Sequence, residues 1–207
     1  MSRLRVVPIV EGHGEVDAFP ILLRRIWQVL GGEFIDVLTP IRGQRDRLIK
    51  PDGAILSKVL QLAAEKLRFS PGESLPGLIM ILLDAEDDLA CQLGPELLQR
   101  ANACRPDVDI ACVIANRCHE TWFAAAAGSL QKYVDTSRDA SLPRDPENEN
   151  LRKAWVAKRI RQAKYSETID QPRLTAAMDL SLCRANSRSF DKLCRDLEDR
   201  LHTKSAG

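Results

Sequence analysis

The 207-residue sequence has no apolar run approaching the roughly eighteen residues that a membrane helix needs, so no spanning segment is expected. A tight cysteine pairing pattern is missing too. Cys91, Cys104, Cys112, Cys118, Cys183 and Cys194 stand singly, which suits reduced thiols in a cytoplasmic protein better than a disulfide framework. Cys112, Cys118 and His119 lie close in sequence, but without the CxxC spacing of structural zinc sites. No secretory leader is expected, because Arg3 and Arg5 precede a short strand-like run that Glu11 ends. There is no P-loop, no dinucleotide-binding glycine spacing and no internal repeat. Nor is there a large charge of one sign, the net value being +1. The charges are unevenly spread, with 17 basic against 22 acidic residues in 1–150 and 13 against 7 in 151–207. A basic C-terminal part can grip a polyanion or dock on the protein's own acidic face, and charge does not decide between them.

What is present reads as an α/β protein. Leu4–Val10, Phe34–Leu38, Leu78–Leu83 and Ile110–Ala115 are β-rich apolar runs of strand length, separated by segments of helical periodicity. Pro8 lacks a ladder donor, so some irregularity is expected in the first strand. Helices are predicted over Val16–Leu30, Ala54–Leu67, Pro95–Ala103 and Trp122–Leu130, with a polar loop carrying Arg42, Arg45 and Arg47 between the second strand and second helix. The alternation predicts a mostly parallel central sheet flanked by helices. A core domain over residues 1–130 and a loop-and-helix C-terminal subdomain over 131–207, packed on that core, are expected. The latter has a polar stretch over 137–150 and helices near 151–163, 172–183 and 188–201. Phe190, Leu193, Cys194, Leu197 and Leu201 form one apolar stripe, which could self-associate if exposed.

The chemistry is concentrated in two acidic segments. Glu11-Gly12-His13-Gly14-Glu15 follows the first strand, and Asp84-Ala85-Glu86-Asp87-Asp88 follows the third. Carboxylates at the ends of adjacent parallel strands can converge above the sheet, where a hard cation such as Mg²⁺ or Mn²⁺ removes their repulsion. Glycine beside Glu11 permits a tight turn and a close approach of phosphate or metal to the backbone. Glu15, about one turn on, serves either the site or a helix N-terminus. Asp84 and Glu86 are the leading metal ligands and Asp88 a secondary one, while Asp87 suits a cap or surface position. Glu120, shortly after the last strand, is placed to enter the same cluster. His13 and His119 are candidate general bases or phosphate contacts, although a loop histidine is more often a plain surface residue. Arg188 and the run Lys158, Arg159, Arg161, Lys164 could meet a phosphate backbone or stay solvated. No basic cluster is apparent near the acidic loop to hold a nucleoside triphosphate, which disfavours a primase-like polymerase.

The glutamate-glycine pair after strand one and the acidic motif after a later strand resemble the TOPRIM fold. That fold is shared by topoisomerases, primases, recombination proteins and nucleases of the overcoming-lysogenization-defect type. Glu120-Thr121-Trp122 and Ser187-Arg188-Ser189-Phe190 extend a resemblance to the domain-of-unknown-function 4276 family over nearly the whole chain. The resemblance implies acid/base or metal-binding work for Glu11 and Mg²⁺ binding by Asp84 and Glu86, with Asp88 as an additional acidic position. Glu86 stands where the usual motif has a second aspartate. Also implied are an ATPase partner and a role in defence against mobile DNA. Together, the residues and the resemblance lead to the expectation of a Mg²⁺- or Mn²⁺-dependent nuclease acting on nucleic acid, DNA before RNA. The alternative is a catalytically weak regulatory or partner-binding subunit. Homodimerisation through the 172–201 helices is a simpler association than an ATPase complex.

Overall fold

Strict side-chain alternation builds the sheet. In the computed structural model, which describes residues 2–72, 74–137, 142–143, 145–149, 151–161 and 164–202, the strands are β1 (Arg3–Val10), β2 (Phe34–Val37), β3 (Ile41–Arg42), β4 (Gly77–Asp84) and β5 (Asp109–Ala115). Every pairing is parallel, in the order β2-β1-β4-β5, with β3 also on β1. Val6 and Val10, Leu78, Met80 and Leu82, and Ala111 and Val113 enter one core. Val7 and Ile9, Ile79, Ile81 and Leu83, and Ile110 and Ile114 enter the other. Both faces are therefore covered, as a parallel sheet requires.

Helices α2 (Arg45–Leu48), α3 (Ala54–Phe69) and α4 (Ala90–Cys104) cover the second core. The first is covered by α1 (His13–Val29), α5 (Glu120–Ala125), α6 (Lys153–Arg159), α7 (Glu167–Ala177), α8 (Leu180–Asn186) and α9 (Arg188–His202). Residues from both the 1–130 and the 131–207 parts share that core. Among the described residues, no helix is long and apolar enough to cross a membrane.

Several elements differ from expectation for local reasons. The irregularity at Pro8 is a change of partner: Val6 pairs with Val37 of β2, whereas Ile9 pairs with Ile41 of β3. The loop carrying Arg42 and Arg45 contains β3 and α2, and Arg45 is buried. Helix α4 starts at Ala90 rather than Pro95, so Pro95 lies inside it and leaves the Cys91 carbonyl without its ladder donor. The expected 122–130 helix is α5 followed by a 3-10 turn over Ala127–Ser129. The single helix over 172–183 is two, because Met178 is extended and the Asp179 carboxylate caps α8 by accepting the Leu182 N–H at 2.9 Å. In the 151–163 helix, α6 covers Lys153–Arg159, and residues 162–163 lie outside the described residues. So do 138–141, 144 and 150 of the polar stretch. The α9 stripe is buried in the protein's own core, so it offers no dimer face.

Helices α1 and α7 approach closely at Gly14. A Cβ there would lie 2.2 Å from Gln171 Oε1 and 2.7 Å from the Glu167 carbonyl oxygen. This glycine serves helix packing rather than a turn. Gly14→Ala should therefore destabilise the protein by about 1–3 kcal/mol in urea denaturation. Gly94→Ala is the control, since its Cβ would meet Ile114 at 3.4 Å, an ordinary contact, and it should be neutral or stabilising.

Candidate active site

Because β1 and β4 are parallel neighbours, their C-terminal ends meet on one edge of the sheet. Glu11 follows the end of β1 and Asp84 closes β4. Asp84 continues the alternation of Met80 and Leu82, which directs it towards the side of the sheet that α1 and α5 cover. Glu15 sits in the first turn of α1 and Glu120 in the first turn of α5. The four converge, with Glu86, on one cavity of about 410 Å³. Asp88 is turned away from it and forms an ion pair with Arg45.

The carboxylates strain against one another. Burial pushes the Asp84 carboxyl well above its usual range, and the charges of Glu15, Glu120 and Glu11 push it further, opposed by the His119 N–H donating to Oδ1 at 2.9 Å. Burial raises Glu15 to about 7, with Glu120 and Glu11 adding to the rise and the Gly12 N–H, 2.6 Å from Oε2, resisting it. Glu15 thus both caps α1 and lines the cavity. Glu11 is raised by burial and by Glu86, with Arg45 opposing. Its Oε2 is buried and has no hydrogen-bond partner. Glu120 is fixed by the Tyr165 hydroxyl at 2.9 Å and the Gln171 side-chain amide at 3.1 Å, both donating to Oε1.

Two turns are held together beside the cavity. Glu86 (φ 52°) and Arg117 (φ 69°) both adopt the left-handed region although neither is glycine. The Glu86 N–H donates to the Arg117 carbonyl at 2.9 Å, and Arg117 Nη1 donates to the Glu86 carbonyl at 3.1 Å. Such conformations cost of order 1 kcal/mol each and persist where neighbouring bonds hold them. Behind the acidic loop, Arg45 donates from Nε to the Asp84 carbonyl at 2.7 Å and from Nη2 to the Ala85 carbonyl at 3.0 Å.

Sequence reasoning missed Arg45, Gln171 and Tyr165, since nothing local to them signals a site. The expected absence of a basic cluster near the acidic loop is corrected: Arg117, Arg152 and Lys153 all line the cavity. Arg152 pairs with Asp87 and Lys153 with Glu167. The run Lys158, Arg159, Arg161, Lys164 does not line it. The His119 ring is fully buried between Trp122 and Phe123, with centroids at 5.0 and 5.3 Å, and burial lowers its pKa to about 4. It acts on Asp84 through its backbone, not its imidazole. His13 is exposed at the start of α1. Trp122 Nε1 donates to Ser189 Oγ at 2.8 Å, and Ser187 and Ser189 both bind the buried Glu147, so these motif residues brace the fold.

The donors suit a hard divalent cation. They are oxygens only, and the orphaned Glu11 oxygen and the mutually raised Asp84 and Glu15 would each be relieved by positive charge. Among the described residues, no three His, Cys, Asp or Glu side chains already stand at ligand spacing, so closing on an ion requires side-chain rotation.

The geometry defines a protein with a parallel sheet carrying a carboxylate-lined cavity at its strand ends. Residues 10–198 match the family described as "Domain of unknown function (DUF4276)", and the chain belongs to that family. No curated protein matches it. Similar solved structures include the C-terminal region of the Xanthomonas campestris pv. campestris OLD protein, at 14% identity and a TM-score of 0.40 over 100% of this chain and 99% of that one. The C-terminal region of the Burkholderia pseudomallei OLD protein has the same identity and a TM-score of 0.40, over 97% of this chain and 99% of that one.

The raised Glu15 has a consequence for stability. The folded protein holds this proton up to about pH 7, whereas an ordinary glutamate releases it near 4.5. The contribution is thus fully present below pH 4.5 and lost as pH rises through about 7. Thermal unfolding in a chelator should show wild-type stability falling across this window relative to Glu15→Gln, by up to about 3 kcal/mol. Parallel pH profiles for the two proteins would contradict it.

Proposed function

We propose that the protein is a TOPRIM-type nuclease that hydrolyses phosphodiester bonds at the carboxylate-lined cavity with Mg²⁺ or Mn²⁺. The observation that carries this reading is the burial of Glu15, Asp84 and Glu120 against one another, with Glu11 and Glu86 at the same cavity. The order of motifs, Glu11-Gly12 after β1 and the acidic loop after β4, supports the TOPRIM assignment. Glu11, Asp84 and Glu86 would hold the cation, with Glu15 and Glu120 beside them, while Asp88 acts through Arg45. When bound, the cation supplies charge stabilisation at the transferring phosphoryl group and orients water. Glu11, its proton affinity raised by burial and by Glu86, would exchange a proton with water or the leaving group. Arg117, Arg152 and Lys153 attract the phosphates electrostatically. The preference for DNA, a role in defence and an ATPase partner rest on the family resemblance alone, and co-purification with the product of a neighbouring gene tests the last.

Labelled DNA and RNA, incubated with the purified protein with and without Mg²⁺ or Mn²⁺, test the activity. Cleavage should need the metal and fall about 10²–10³-fold in Glu11→Gln and Asp84→Asn, the range for losing one electrostatic group in a catalytic site. Metal-independent cleavage that both variants retain would sink the proposal. The open spacing of the carboxylates favours a second reading, a partner-binding subunit with little catalysis. Absence of cleavage together with stable co-purification of a partner would select it.

A further inference from the structure

A second cavity, of about 530 Å³, lies between α4, the edge strand β5 and the start of α9. It falls within the roughly 300–1,000 Å³ usual for small-ligand sites. It adjoins the carboxylate cavity, because Arg117 lines both. Its walls are apolar where Pro95, Leu98 and Ile114 stand, and Leu89 is exposed at its edge. Arg188 is exposed there and makes no ion pair among the described residues. Glu147 is only 5% exposed, and its Oε1 accepts three bonds: from the Ser187 hydroxyl at 2.7 Å and from the Ser189 N–H and hydroxyl at 2.9 and 2.6 Å. Its second oxygen has no protein partner among the described residues, and Glu147 lines the cavity together with Asn116, Asn148 and Lys192.

These features match one ligand chemistry. A flat apolar body suits the aliphatic walls, an N–H donor suits the unpartnered carboxylate oxygen, and flanking negative charge suits Arg188 and Arg117. A nucleobase within a strand has all three, provided that it is unpaired, because a base inside a duplex cannot enter a pocket. Every base carries an N–H that such an oxygen can accept: the exocyclic amino group of adenine, cytosine and guanine, and the ring N3–H of thymine and uracil. We propose that this cavity is a base-binding subsite that takes an unpaired nucleobase, with Glu147 accepting a base N–H and Arg188 and Arg117 meeting the adjoining phosphates. The proposal deepens the nuclease reading and rests on it for the strand to which the base belongs. It makes the preferred substrate single-stranded, flapped or locally melted nucleic acid.

Cys91 lines the cavity and is exposed, so its alkylation reports occupancy. Cys104 is the other exposed thiol, and the remaining four are buried, with burial raising their pKa. In the Cys104→Ser protein without metal, dAMP, dCMP, dGMP and dTMP should slow maleimide modification of Cys91, and deoxyribose 5-phosphate, which has no base, should not. Leu98→Trp, which fills the slot, should abolish protection and weaken single-stranded oligonucleotide binding about tenfold, the size of one lost base contact. Prior alkylation of Cys91 should weaken single-stranded oligonucleotide binding likewise in protein that is otherwise unaltered, which covers a failure of the variant to fold. Equal protection by deoxyribose 5-phosphate overturns the base assignment, and no protection by any nucleotide overturns the subsite. Protection without nucleic-acid cleavage leaves the subsite and removes the nuclease reading, whereas cleavage without protection does the reverse.

Discussion

Negative charge gathered where water is scarce is the constraint on which the rest of this structure depends. Parallel pairing of β1 with β4 brings Glu11 and Asp84 to one edge of the sheet, and α1 and α5 add Glu15 and Glu120 from above. Burial disfavours the ionised forms of Asp84, Glu15 and Glu11, and neighbouring charge disfavours them further, so the proton affinities of these three rise together. A protein does not hold such a cluster for stability, since apolar residues of similar volume would pack there at lower cost. The proposed divalent cation would offset that cost.

The surrounding architecture keeps the cluster in place against that repulsion. Arg45 grips the backbone of the acidic loop at Asp84 and Ala85 and draws Asp88 away from the centre. The facing left-handed residues Glu86 and Arg117 tie the loop after β4 to the loop after β5. Tyr165 and Gln171 fix Glu120, and Gln171 reaches it because Gly14 lets α7 lie against α1. The helical C-terminal part therefore does more than cover the sheet: it supplies groups that orient an acid contributed by the N-terminal part.

The legible features were those with a local physical cause. Strand runs with apolar residues on both faces marked the sheet, and an acid placed immediately after such a run marked Glu11 and Asp84. What could not be read depended on distant chain. Arg45 looks like its neighbours Arg42 and Arg47 until the fold turns it inward. The rim cations Arg152 and Lys153 are far in sequence from the acidic loop and reach it through the path of the chain after α5. The division between α7 and α8 rests on the extended Met178 and the Asp179 cap, which leave little mark in the sequence. His119 shows the converse, for its proximity to Glu120 suggested a base and its burial between aromatic rings removes that role.

The central claim, that the clustered carboxylates form a site for a divalent cation, is tested most directly by Mn²⁺ titration. Electron paramagnetic resonance of the purified protein near neutral pH reports bound against free ion, and calorimetry in buffers of different ionisation enthalpy reports proton release. The account predicts saturable binding accompanied by release of protons, because Glu15 and Asp84 hold them above the usual carboxylate range until the ion replaces them. Binding should be lost in Asp84→Asn. Free Mn²⁺ throughout a millimolar titration, or saturable binding unchanged in Asp84→Asn, would contradict it.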